Sequence, residues 1–125
     1  MPSTGRVLVV DDDDTIRELV SIALCDEGYE VMSAIHGREA LERAANWVPD
    51  LILLDMRMPV MDGWEFTRAY RRGPGPHAPI IVLTAGRDAT CTAIQIEADA
   101  ALAKPFELES LLGLVSRFVR MPLQS

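Results

Sequence analysis

Residues 51–63 read LILLDMRMPVMDG. Four apolar residues run directly into an acid. A short continuous apolar run is the mark of a strand buried on both faces, as in parallel sheets. Asp55 then stands where that strand leaves the core, and a buried carboxylate is costly unless something pairs with it. The residues that meet Asp55 are therefore the first question the sequence poses.

Outward from this stretch, apolar runs alternate with amphipathic ones. RVLVV (6–10), YEVMSA (29–34), DLILL (50–54), PIIVLT (79–84) and AALA (100–103) read as strands, the last weakly because alanine packs little on a pleat. Between them, TIRELVSIALCDEG carries Ile16, Leu19, Val20, Ala23 and Leu24 at the spacing of one helix face, with Asp13 or Asp14 to cap it and Gly28 to end it. GREALERAANW (37–47), DGWEFTRAYRR (62–72), a weaker stretch near 88–97 and ELESLLGLVSRFV (107–119) complete the set of helices. Pro49 stops the second and GPGP (73–76) breaks the third. Five strands alternating with five helices predict an α/β fold, a doubly wound five-stranded parallel sheet with helices on both faces and right-handed crossovers.

The 125 residues suit one domain, expected to span 1–125 with about 5–120 structured. A net charge of −7 argues against binding nucleic acid or an anionic membrane through the chain's own field. No run approaches the ~20 apolar residues of a bilayer span, and the start lacks a signal peptide's pattern. Cys25 and Cys91 share no metal-type spacing and read as free thiols, which fits a cytoplasmic protein. His36 and His77 read as solvent-exposed loop residues, and Asp13 and Asp14 as helix-start residues.

Ligands of such sheets bind beyond the carboxyl ends of the strands. Those ends carry Asp11 and Asp12, then Asp55, Thr84 and Lys104. If the strands are neighbours, these five residues meet on one rim. Clustered carboxylates repel one another, and a hard divalent cation with oxygen ligands relieves that repulsion. Lys104 adds a positive charge and Thr84 a hydroxyl donor. The set is negative when empty and balanced when it holds Mg²⁺ and a phosphoryl group. An ionised Asp55 is also a nucleophile toward phosphorus, giving an acyl phosphate.

VLVVDD, PDLILLDMRMPVMDG, IIVLTA and KPF, in this order and spacing, resemble the receiver domain of two-component response regulators across nearly the whole chain. The resemblance implies a flavodoxin-like (βα)5 fold with strand order 2-1-3-4-5. It implies that Asp55 is the phosphoacceptor, that Asp12 ligates Mg²⁺ (or Mn²⁺) directly, and that Asp11 acts largely through metal-bound water. The backbone carbonyl of Arg57 is the further implied metal ligand. Thr84 and Lys104 would hold phosphoryl oxygens, helped by the amides that follow Met56 and Thr84. Pro59 and Gly63 would shape the loop. The implied partners are a sensor histidine kinase or histidine phosphotransfer protein upstream and an effector, not named by the sequence, downstream. Such a protein catalyses its own phosphorylation and dephosphorylation, yet its product is a signal.

Other readings fit less well. A haloacid-dehalogenase-like phosphatase needs a second acid two residues after its nucleophile, where this chain has Arg57. A flavodoxin-like nucleotide-binding module needs a phosphate loop after strand one, where four aspartates stand. A degenerate receiver used only for docking would not need the intact acid, threonine and lysine set. The sequence also departs from its family. Ala101 stands where receivers usually carry an aromatic residue, the stretch from Thr84 to Lys104 is shorter than usual, and Glu97 replaces a glycine. The expectation is an order–disorder or shift response in residues 86–97 in place of a ring flip. Arg57 and Gly86, beside the expected path of the hydrolytic water, suggest a comparatively long-lived phosphoform.

Overall fold

Alternation within each apolar run decides which layer each side chain enters. In the computed structural model, which describes residues 5–85 and 89–120, the strands are β1 (Arg6–Val10), β2 (Glu30–Ala34), β3 (Leu51–Asp55), β4 (Ile80–Ala85) and β5 (Ala100–Lys104). All pair in parallel, in the order β2-β1-β3-β4-β5. Leu8, Val10, Ile52, Leu54, Ile80 and Val82 point into one core, while Val7, Val9, Leu51, Leu53, Ile81 and Leu83 point into the other. The period of two in a strand makes this division inevitable once both faces are covered.

The covering helices are α1 (Asp14–Asp26), α2 (Gly37–Asn46), α3 (Gly63–Arg72), α4 (Ala89–Ile96) and α5 (Leu108–Arg120). Val20 and Leu24 of α1 pack with Leu111, Val115 and Val119 of α5 on one side. Ala40, Phe66, Tyr70 and Ile96, from α2, α3 and α4, fill the other. The expected inward face of α1 needs one correction. Leu19 is half exposed, because the buried stripe follows the i, i+4 row through Ile16, Val20 and Leu24 and leaves Leu19 at its edge.

Local signals explain the ends. Asp13 caps α1, its side chain accepting from the Ile16 amide at 3.1 Å. Gly28, at φ 96°, ends it in the left-handed region, with its amide donating to Cys25 and that of Tyr29 to Leu24. Asp62 and Glu65 form a reciprocal capping box on α3. His36 corrects its reading as a free loop residue: it is half-buried and caps α2, its Nδ1 accepting from the Glu39 amide at 3.2 Å. His77 is exposed, as expected, with its ring edge-on to Tyr70.

Candidate phosphoryl and metal site

The strand order brings the carboxyl ends of β1 and β3 side by side, with β4 and β5 next in line. Asp11 and Asp12 follow β1, and Asp55 closes β3. Carboxylate oxygens of Asp11, Asp12 and Asp55 lie within 4.8 Å of one another. Asp11 is fully buried and Asp55 nearly so, whereas Asp12 is exposed. Lys104 reaches over from β5, its Nζ donating to Asp11 Oδ2 at 2.8 Å and lying 3.5 Å from Asp55 Oδ1. This answers the opening question: a lysine contributed by β5, and two further acids, meet Asp55.

The charges shape one another. Burial, then the Asp11 charge, pushes the Asp55 carboxyl up to about 6, against the pull of Lys104 and the Arg57 amide. Burial works to lower the Lys104 ammonium, but the hydrogen bond and charge of Asp11, with those of Asp55, raise it on balance. Lys104 therefore stays protonated, and among the described residues it is the one cation that serves both buried carboxylates. The donor set is all oxygen, crowded and short of positive charge, which is the chemistry a hard divalent cation matches.

The residues singled out in the sequence, Gly86 apart, have a definite place. Asp11, Asp12, Asp55 and Lys104 converge. Thr84 is buried near the end of β4, one residue beyond the Leu83 that pairs with Asp55. The Arg57 side chain is exposed, and its backbone amide bonds the Asp55 carboxylate. Gly86 lies outside the described residues. Gly63 follows from a close approach: a Cβ there would sit 2.5 Å from Met56 Sδ and 2.8 Å from Met56 Cα. Its amide donates to the Met56 carbonyl at 2.9 Å, closing the loop that carries Asp55 into α3.

Sequence reasoning missed Arg17. Its Nη1 donates to the Asp11 carbonyl at 2.8 Å and its Nη2 pairs with Asp14. The signal was present as an arginine three residues after Asp14, a spacing that brings side chains together on a helix. It also missed Arg71 of α3, whose guanidinium donates to the carbonyls of Ile96 and Glu97 at the end of α4. No local pattern announces that contact.

Comparison with known proteins agrees with this fold. A sequence model of the response regulator receiver domain matches residues 7–116. The response regulator MprA of Mycolicibacterium vanbaalenii is 43% identical over 118 residues, covering 92% of this chain and 50% of that protein. MprA of Mycobacterium tuberculosis H37Rv is equally similar. The chain thus spans about half the length of the curated relatives it matches. Among solved structures, the chemotaxis protein CheY4 of Vibrio cholerae superposes with a TM-score of 0.79 at 38% identity, over 90% of this chain and 97% of that one. The signal receiver domain of a signal transduction histidine kinase from Syntrophus aciditrophicus gives a TM-score of 0.87 at 30% identity, over 97% of this chain and 94% of that one.

Proposed function

The chain belongs to the response regulator receiver domain family of two-component signalling, and from that premise we propose that Asp55 is its phosphoacceptor. The chain acts as one receiver domain across residues 1–125. A sensor histidine kinase or a histidine phosphotransfer protein supplies the phosphoryl group in the cytoplasm, and a downstream effector reads the result. Among the described residues no helix is long and apolar enough to cross a membrane.

The observation that carries this reading is the position of Lys104 Nζ, 2.8 Å from Asp11 and 3.5 Å from Asp55. One Asp55 oxygen forms the new P–O bond as the P–N bond of the donor phosphohistidine breaks, and the departing imidazole keeps the electron pair. With its carboxyl near 6, Asp55 is mostly ionised at neutral pH yet more basic than an ordinary aspartate. Lys104, held between two carboxylates, can turn toward a phosphoryl oxygen without losing Asp11. Thr84, buried near the end of β4, would be the second group for those oxygens. Asp11, Asp12, Asp55 and the Arg57 carbonyl would hold Mg²⁺, or Mn²⁺ in its place. The bound cation supplies charge neutralisation for the incoming phosphoryl group.

The test is labelling with a small acyl-phosphate donor and Mg²⁺, read by intact mass. Wild type gains one phosphoryl group, and Asp55→Asn gains none. A donor-dependent mass gain that survives in the Asn variant rejects Asp55 as the acceptor.

A further inference from the structure

Four aspartates in succession, Asp11 to Asp14, join β1 to α1. Like charges this close favour a loop that spreads apart. The structure holds it by three ties. The Asp13 amide donates to Asp11 Oδ1 at 2.9 Å, and the Asp13 side chain caps α1. The third tie is Arg17. Its guanidinium grips the Asp11 main-chain carbonyl and the Asp14 carboxylate, so it spans both ends of the acidic run. The Asp14 pair alone explains little, because Asp14 is highly exposed and exposed ion pairs are worth little. The Arg17 side chain itself is 17% exposed and meets a carbonyl where β1 ends, a far more enclosed contact.

Between the two gripped residues stands Asp12, exposed and pointing a carboxylate toward those of Asp11 and Asp55. Asp12 has no fixed partner of its own among the described contacts. Its backbone, held on both sides by the Asp11 carbonyl and the Asp13 amide, sets where that carboxylate can reach. We propose that Arg17 is a positioning residue for the cation site: by fixing the Asp11 carbonyl against Asp14, it keeps the Asp12 carboxylate aimed at the divalent ion. This rests on the reading of Asp11, Asp12 and Asp55 as the cation site.

The sign of one measurement separates positioning from charge. Through charge alone, removing a guanidinium near a divalent cation strengthens binding, since one repulsive partner is gone. Loss of a group that orients a ligand weakens it, typically by about tenfold or more. The experiment is calorimetric titration of Mg²⁺, backed by free Mn²⁺ counted by electron paramagnetic resonance, on wild type, Arg17→Met and Arg17→Lys. Melting in chelator checks that each variant folds. Arg17→Met is expected to bind about tenfold more weakly, with Arg17→Lys between it and wild type because an ammonium reaches one of the two partners. Equal or tighter binding by Arg17→Met overturns the proposal. If Arg17→Met does not fold, Arg17→Gln, also neutral and closer in polarity, is judged by the same criterion. A wild-type protein that binds neither ion overturns the cation site itself, a different result from a bound ion indifferent to Arg17.

Discussion

The junction after β3 and the region from β4 to β5 flank the same rim, yet they are built differently. After Asp55 the chain is locked by packing. Met56 is fully buried, Gly63 leaves no room for a Cβ, its amide closes on Met56, and the Gly37 amide holds the Met61 carbonyl at 2.9 Å. Across the rim, α4 is only eight residues long, and the small residues Ala98 and Ala101 pack against the core cluster that holds its Ile96. Its last turn ends on Glu97 at φ 55°, where the Ala98 amide bonds Ala93 and the Glu97 amide bonds Ile94. Arg71 of α3 completes that end through its two carbonyl contacts. The side that carries Asp55 is thus fixed by steric fit, while the side opposite adds to its apolar anchor at Ile96 a set of polar ties that can be remade. Elements with few buried apolar contacts are the ones that open first.

The strongest break in this comparison is Gly63→Ala. The added methyl group meets backbone, not a flexible side-chain tip alone, so Met56 and the loop must move. We expect a loss of about 2–3 kcal/mol in denaturant unfolding, together with slower labelling of Asp55. A change within experimental error would mean that the loop is as adjustable as α4.

Next in size is Asp55→Asn, measured without metal. The folded chain holds the Asp55 proton up to about 6 against an ordinary 3.8. The folded state therefore binds more protons between these values, and its stability falls as pH rises from 3.8 through about 6. Above that the penalty is constant. Discounted for partial solvent access, it is on the order of 1–2 kcal/mol. Asp55→Asn should remove the slope and be the more stable protein at pH 8 in chelator. A wild type at least as stable there would show that Lys104 alone compensates the buried charge.

Arg71→Ala tests the other side. Losing two donors to the end of α4 should cost about 1 kcal/mol, with faster hydrogen exchange in 89–97 and little change in 63–72. Equal acceleration in both helices would erase the contrast. The same experiment with a phosphoryl mimic tests whether 89–97 responds to Asp55 in the absence of an aromatic residue at Ala101.

The smallest effect sharpens it. Glu97→Gly should stabilise by about 1 kcal/mol, because glycine takes the left-handed conformation at no steric cost. Val60, β-branched at φ 68° in the loop after Asp55, should gain a similar amount as Val60→Gly. Thermal melts rank the two. If only Glu97→Gly stabilises, strain at Val60 is offset by contacts of its loop.

The legibility of the chain follows the range of the forces involved. Strand types came from short continuous apolar runs and helix types from a period of about 3.6, which are local signals. Asp55 drew notice because a charge after four buried apolar residues is costly wherever it occurs. Boundaries fell within a residue or two, as at β4, which ends on Ala85 in place of Thr84. Leu19 was misplaced because a helix face has an edge, and that edge is drawn by the neighbours it packs on. His36 was misread because a ring nitrogen caps a helix only when the chain before it bends to suit.

From residue order alone follow the alternation of five strands with five helices, the double burial of the central strands and the acids, threonine and lysine at their ends. These depend on near neighbours in the chain and on the cost of burying charge. Side-by-side placement of β1 and β3 and the reach of Lys104 onto two carboxylates depend on the folded packing. So do the Arg17 grip on Asp11 and the hold of Arg71 on α4. Lys104 and Asp11 are 93 residues apart, and Arg71 and Ile96 are 25 apart. Over such separations no local period specifies contact. The sheet order and the shape complementarity of buried side chains bring these groups together.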